Sequence, residues 1–128
     1  MIDYYNLDVI ISDVVRSAKK SIILIDNYID DSVLTLFTER KKKMTVSLFT
    51  KKIGPKLQLD VQKFNSQYEP ITITEFSDSH DRFLIIDETI IYHIGASLKD
   101  LGKKWFAFSK MHIADVSILG RLKQAGLA

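Results

Sequence analysis

The sequence predicts one α/β domain with a mostly parallel, mixed sheet and helices on both faces. Three observations predict it. Short apolar runs alternate with stretches of helical periodicity, the pattern of strands joined by crossover helices. Pro55 and Pro70 fall between those stretches, where chain direction changes. The length of 128 residues and a 46% hydrophobic share suit a single core, so residues 1–128 are read as one domain.

Leu7, Ile10, Ile11, Val14, Val15 and Ala18 recur at helical spacing and form the first element. Ile22 to Ile25 is a buried strand ending in Asp26-Asn27-Tyr28. Asp30-Asp31-Ser32 starts a second helix, with acids at the positive end of its dipole and Val33, Leu34, Leu36 and Phe37 turned inward. Lys41-Lys42-Lys43 closes it on the basic side, and Thr45 to Phe49 is the next strand. Pro55 opens a third helix that buries Leu57, Val61 and Phe64, and Ile71 to Phe76 is the third strand. Arg82 to Ile86 and Ile90 to Ile94 are joined through only Asp87-Glu88-Thr89, which predicts an antiparallel hairpin. Beyond Gly95 the reading is a loop holding Trp105, Phe106 and Phe108, then a last helix from about His112 towards Lys123.

Bulk properties exclude some chemistry. There is no cysteine, so disulfides, thiolate metal sites and a cysteine nucleophile are ruled out. No apolar run approaches membrane-spanning length, and the acidic start MIDYYNLDVI is unlike a signal peptide, so a cytoplasmic chain with no membrane partner is expected. Charge is distributed unevenly. Residues 41–70 hold seven basic and two acidic groups and residues 95–128 hold six and two, while residues 71–94 hold one and five. Two lysine-rich blocks thus flank an acidic stretch; they form either a phosphate-attracting surface or simply solvated faces.

The chemistry concentrates in His80-Asp81-Arg82-Phe83-Leu84-Ile85-Ile86-Asp87, followed by Gly95-Ala96-Ser97. On a strand, residues two apart project from one face, with Cα atoms about 6.5–7 Å apart. An imidazole and a guanidinium so spaced converge on one phosphate. The arginine supplies charge and paired donors, and the imidazole attacks phosphorus or moves a proton near neutral pH. Ser97 adds a hydroxyl if its loop folds over the same sheet end, and Gly95 lets backbone approach a ligand. Each residue also has a plainer reading. His80 is then a loop histidine, Arg82 pairs with Asp78 or Asp81, and Asp87 caps the tight turn after it. His93 has no motif spacing, and a metal centre from His80, Asp87 and His93 lacks a compact ligand set.

This stretch resembles the HxKxxxxD motif of the phospholipase D superfamily, with its trailing small-residue and serine loop. Here it reads HxRxxxxD at His80, Arg82 and Asp87, with Gly95 and Ser97 after it. Arginine stands where lysine is usual, and Leu98-Lys99-Asp100 follow Ser97 where the family has an asparagine. The whole chain matches one half of the usual two-half enzyme. The run GASLKDLGKKWFAF also resembles the C-terminal domain of bacterial ORF6N-family proteins. The resemblance implies a phospholipase D-like fold and chemistry without metal or cofactor. His80 would be the nucleophile, Arg82 and Ser97 would hold the phosphate, and Asp87 belongs to the catalytic motif. With one motif per chain, a homodimer would supply the second His80.

Asp26 and Asn27, at the end of the first strand, are candidates to orient the histidine, and Asn27 also to touch substrate. Two functions remain open. One is a homodimeric, nuclease-like phosphodiesterase; the other is a module that binds nucleic acid or a protein without turnover.

Overall fold

In the computed structural model, residues 7–77, 82–95, 108–112 and 120 are described. Three α-helices, α1 (Leu7–Ser17), α2 (Asp31–Thr35) and α3 (Pro55–Gln67), accompany six strands. The strands are β1 (Ser21–Ile25), β2 (Thr45–Thr50), β3 (Thr72–Glu75), β4 (Arg82–Ile86), β5 (Ile90–Ile94) and β6 (Phe108–His112). They form one mixed sheet in the order β3-β2-β1-β4-β5-β6. The pairs β1–β2 and β2–β3 are parallel; β1–β4, β4–β5 and β5–β6 are antiparallel.

The antiparallel share exceeds what the alternation of elements predicts, because β6 occupies the segment read as loop and helix start. His112 ends this strand rather than opening a helix. Tertiary pairing decides this: β5 offers an edge, and Ser109 and Met111 pair with His93 and Ile91 on it. The second predicted helix is also shorter. It gives way at Leu36 to a 3-10 turn, Leu36–Glu39, which tightens the chain before β2.

Strand parity sorts the core into two layers. Ile22 and Leu24 of β1, Val46 and Leu48 of β2, and Leu84 and Ile86 of β4 face one side with Ile11, Val15, Val33, Phe37, Leu57 and Phe64 from the helices. Ile23, Ile25, Phe49, Phe83, Ile85 and Ile91 form the other layer with Phe76. The central strands β1 and β4 are apolar on both faces, as a sheet interior requires. Among the described residues, all three helices pack on the first layer.

Local rules explain the helix ends. Asp30 caps α2, its side chain accepting the N–H groups of Ser32 and Val33 at 3.0 and 3.3 Å. Pro55 sits in the first turn of α3, where its missing N–H costs nothing. The β4–β5 turn holds Asp87 and Glu88 at φ 54° and 56° and closes with a Thr89 N–H to Ile86 carbonyl bond of 3.0 Å. Two consecutive positive φ values mark the turn whose twist matches the flanking strands.

A candidate functional site at the carboxyl end of the sheet

Register makes the site visible. On the helix-covered face, successive rows across the sheet can be read from the pairings. The inner row joins Ile73, Leu48, Leu24, Leu84 and Tyr92. One step towards the carboxyl ends of the parallel strands, Glu75 pairs with Thr50 and Arg82 with Ile94. Continuing the β1 registers puts Asp26 between Thr50 and Arg82. The sheet therefore changes from an apolar row to the polar row Glu75–Thr50–Asp26–Arg82 over two residues of each strand.

Asp26 and Thr50 are buried and Arg82 is half-buried, which makes their partners informative, while Glu75 is exposed. Asp26 is 0% exposed and Thr50 1%. The Asp26 N–H donates to the Phe49 carbonyl at 3.0 Å, and its carboxylate accepts the Tyr28 N–H at 3.0 Å. Among the described residues, the Thr50 hydroxyl and the Arg82 Nε are buried without a hydrogen-bond partner. An unsatisfied buried polar atom costs about 1–3 kcal/mol, so two in one row need a reason beyond folding. The Arg82 guanidinium carbon lies 5.8 Å from the centre of the Tyr28 ring, within cation–π range. Glu75 accepts the Ile53 N–H at 3.2 Å and so holds the loop that carries exposed Lys51 and Lys52 beside this end.

The predicted site residues divide between places. Arg82, half-buried Asn27 and Gly95 all lie at this carboxyl end; Gly95 directly follows Ile94, the partner of Arg82. His80 and Ser97 lie outside the described residues, as do Asp78, Asp81, Trp105 and Phe106.

Asp87, the last residue of the HxRxxxxD pattern, lies apart from this end. It sits at the opposite end of β4, about 16 Å of strand from Arg82. Its carboxylate accepts the N–H groups of Lys19 at 3.0 and 3.2 Å, Lys20 at 2.7 Å and Ser21 at 3.1 Å. Desolvation raises its pKa, but these backbone bonds together with Lys20 outweigh it and hold the group below the usual carboxylate value. Asp87 thus ties the α1–β1 connection to the hairpin. His93 is remote in another way: it pairs with Phe83 on the second face, its ring 5.4 Å from that phenyl.

The basic residues divide too. Lys51 and Lys52 follow Thr50 at the carboxyl end, whereas Lys41–Lys43 precede β2 at the amino end. A cavity of about 440 Å³ opens near the latter, lined in part by Phe37, Arg40, Lys42, Lys43 and Tyr68. Its arginine is engaged in packing: Nη2 donates to the carbonyls of Glu69 and Pro70, and the guanidinium lies 5.8 Å from the Phe64 ring centre. Burial lowers the Arg40 pKa from its ordinary value.

Thr50 and the stacked Tyr28 were not singled out from sequence. A signal existed: Ile22-Leu24-Asp26 and Val46-Leu48-Thr50 both turn polar at the third alternate position. Only the pairing register aligns the two breaks.

A mixed sheet with this strand order, flanked by helices and carrying a polar row at one end, is a phospholipase D-like fold. Comparison with solved structures bears this out. Nuc from Salmonella typhimurium, described as a phospholipase D family member, superposes with a TM-score of 0.66 at 18% identity, over 91% of this chain and 84% of that one. NucT from Helicobacter pylori gives 0.62 at 10% identity, over 96% and 88%. TrmBL2, described as an archaeal chromatin protein with a novel mode of DNA binding, gives 0.60 at 13% identity, over 96% of this chain and 48% of that one. No protein-family model and no curated protein matches the sequence.

Proposed function

We propose that the domain is a metal-independent, nuclease-like phosphodiesterase whose active site is completed by a second copy of the chain. The carrying observation is the polar row that runs through buried Asp26 and Thr50 to Arg82, two residues after His80 in the HxRxxxxD pattern. Chain connectivity keeps the two Cα atoms within about 7.6 Å of each other. His80 attacks phosphorus and forms a phosphohistidine while the P–O bond to the leaving group breaks. The His80 of the second copy gives that oxygen its proton. The same imidazole then takes a proton from water, which attacks phosphorus and releases the first His80. Arg82 and Ser97 hold the non-bridging oxygens, with Gly95 and Asn27 bordering the site. Asp87 acts at a distance by fixing the hairpin that begins at Arg82.

The likeness to Nuc and NucT supports the nuclease direction, and the resemblance to ORF6N-family C-terminal domains is compatible with a nucleic-acid setting. A second reading, a binding module without turnover, is favoured by arginine in place of lysine at position 82, whose fork differs in shape and reach. It is favoured too by the likeness to a chromatin protein.

Cleavage of a generic phosphodiester in EDTA by wild type and His80→Ala separates the two. The enzyme reading expects turnover that EDTA spares and His80→Ala removes, with a dimer by light scattering. Binding that needs Arg82 but no turnover would establish the module. Arg82→Ala should weaken phosphate-analogue binding about 10- to 100-fold, the scale of a charged hydrogen bond.

A further inference from the structure

We infer that Tyr28 is a stacking platform for an unpaired base, which makes single-stranded nucleic acid the ligand of the Arg82 site. The inference rests on the phosphodiester reading above and names its substrate class.

Tyr28 is 53% exposed, while the residues around it are fixed. Its N–H is held by the buried Asp26 carboxylate at 3.0 Å. Ile29, the next residue, is core, and Asp30 caps α2. The ring therefore projects from a short rigid segment rather than from a free loop. An exposed aromatic so anchored keeps its contact area without a large ordering cost on binding.

The Arg82 guanidinium, 5.8 Å from the ring centre, joins the two halves of a nucleotide ligand. A phosphate taken by Arg82 brings its attached nucleoside within reach of the Tyr28 ring. Exposed Lys51 and Lys52, on the loop held by Glu75, stand at the same sheet end for neighbouring phosphates. A phospholipid headgroup or simple diester has no aromatic face to place there. Bases in a duplex are already stacked on their neighbours, so only an unpaired strand satisfies both groups.

The competing role for Tyr28 is structural, covering the Arg82 side chain and positioning it. The two roles differ in what they predict for a ligand without bases. Affinities are measured by fluorescence anisotropy at fixed salt for a short oligothymidylate, an abasic strand with the same number of phosphates, and a duplex of that length. Tyr28→Ala should weaken oligothymidylate binding about 5- to 100-fold, the range for loss of one aromatic–base stack. Abasic and duplex affinities should not change, and Tyr28→Phe should behave as wild type on all three. An equal loss on oligothymidylate and abasic strand would overturn the inference and make Tyr28 a positioning residue. No loss on either would overturn it as well. Failure of the underlying reading looks different: Arg82→Ala would then leave abasic affinity intact, whatever Tyr28 does.

Discussion

The two ends of the sheet use polar side chains in opposite ways. At the amino end of the parallel strands, carboxylates are consumed by backbone. Asp87 takes three N–H groups from the start of β1, and both Glu69 oxygens accept the Lys43 N–H at 3.1 Å. At the carboxyl end, the Thr50 hydroxyl and the Arg82 Nε are buried with no partner among the described residues. The first arrangement staples loops and leaves little for a ligand. The second keeps donor capacity unspent on a rigid frame, as a binding site requires. The HxRxxxxD pattern spans both ends: Arg82 begins β4 at the carboxyl end and Asp87 follows it at the stapled amino end.

Substitutions at each end test that contrast. The largest stability change is expected at Asp87. Asp87→Ala should destabilise the domain by about 2–4 kcal/mol in urea unfolding, because several charge-assisted bonds vanish and leave backbone donors behind. Its folded pKa is depressed, so its contribution is present above the unfolded value near 3.8 and fades as pH falls through the folded value. Wild type should therefore lose more stability on acidification below about pH 4 than Asp87→Ala does. Equal acid sensitivity would show that the Asp87 staple is not what the low pKa reports.

Lysine substitutions sharpen the contrast on the binding side. Replacing Lys51 and Lys52 together with glutamine should lower the slope of log affinity against log salt by about 0.7–1.8 for a nucleic acid ligand. The matching pair at the amino end, Lys42→Gln with Lys43→Gln, should leave the slope unchanged. The reverse result would move the ligand path to the other end of the sheet.

A smaller effect is expected at Thr50. Thr50→Val keeps the shape and removes an unpartnered buried hydroxyl, so stability should rise by up to about 1 kcal/mol. Phosphate-analogue affinity should fall if the hydroxyl serves the ligand. A clear loss of stability would mean that the hydroxyl is satisfied within the fold. The smallest effect is at the turn, where Glu88 holds φ at 56°. Glu88→Gly should stabilise by about 0.5–1 kcal/mol in thermal unfolding, since glycine relieves the left-handed conformation, and ligand binding should not change.

Several elements were legible from local pattern. The β4–β5 hairpin has the predicted bounds because the two apolar runs and their three-residue connection fix its register together. The helix opened by Pro55 arises from one residue's fixed φ and the spacing of Leu57, Val61 and Phe64. The segment at 108–112 was not legible. Its cluster of large side chains suits a loop or interface equally well, and it becomes a strand only because β5 presents an edge. Of the candidate site, Arg82 and Gly95 stand out through the HxRxxxxD pattern and its trailing loop, and Asn27 through its place at the end of the first strand. Thr50 and Tyr28 were missed because neither belongs to a motif.

By itself the sequence determined the features that neighbours along the chain impose on one another: the strand and helix periods, the hairpin turn and the HxRxxxxD spacing. Those are set by dihedral preference, alternation and covalent reach, which act over a few residues. Tertiary structure alone decided which strand ends lie side by side. Thr50 and Glu75 are unremarkable in the sequence and far from Asp26, yet pairing aligns all three with Arg82 in one row. It also decided that Asp87, at the far end of the strand that Arg82 begins, works at the other end of the sheet. An extended strand carries its two ends far apart, and the backbone donors that claim Asp87 come from a segment 66 to 68 residues away.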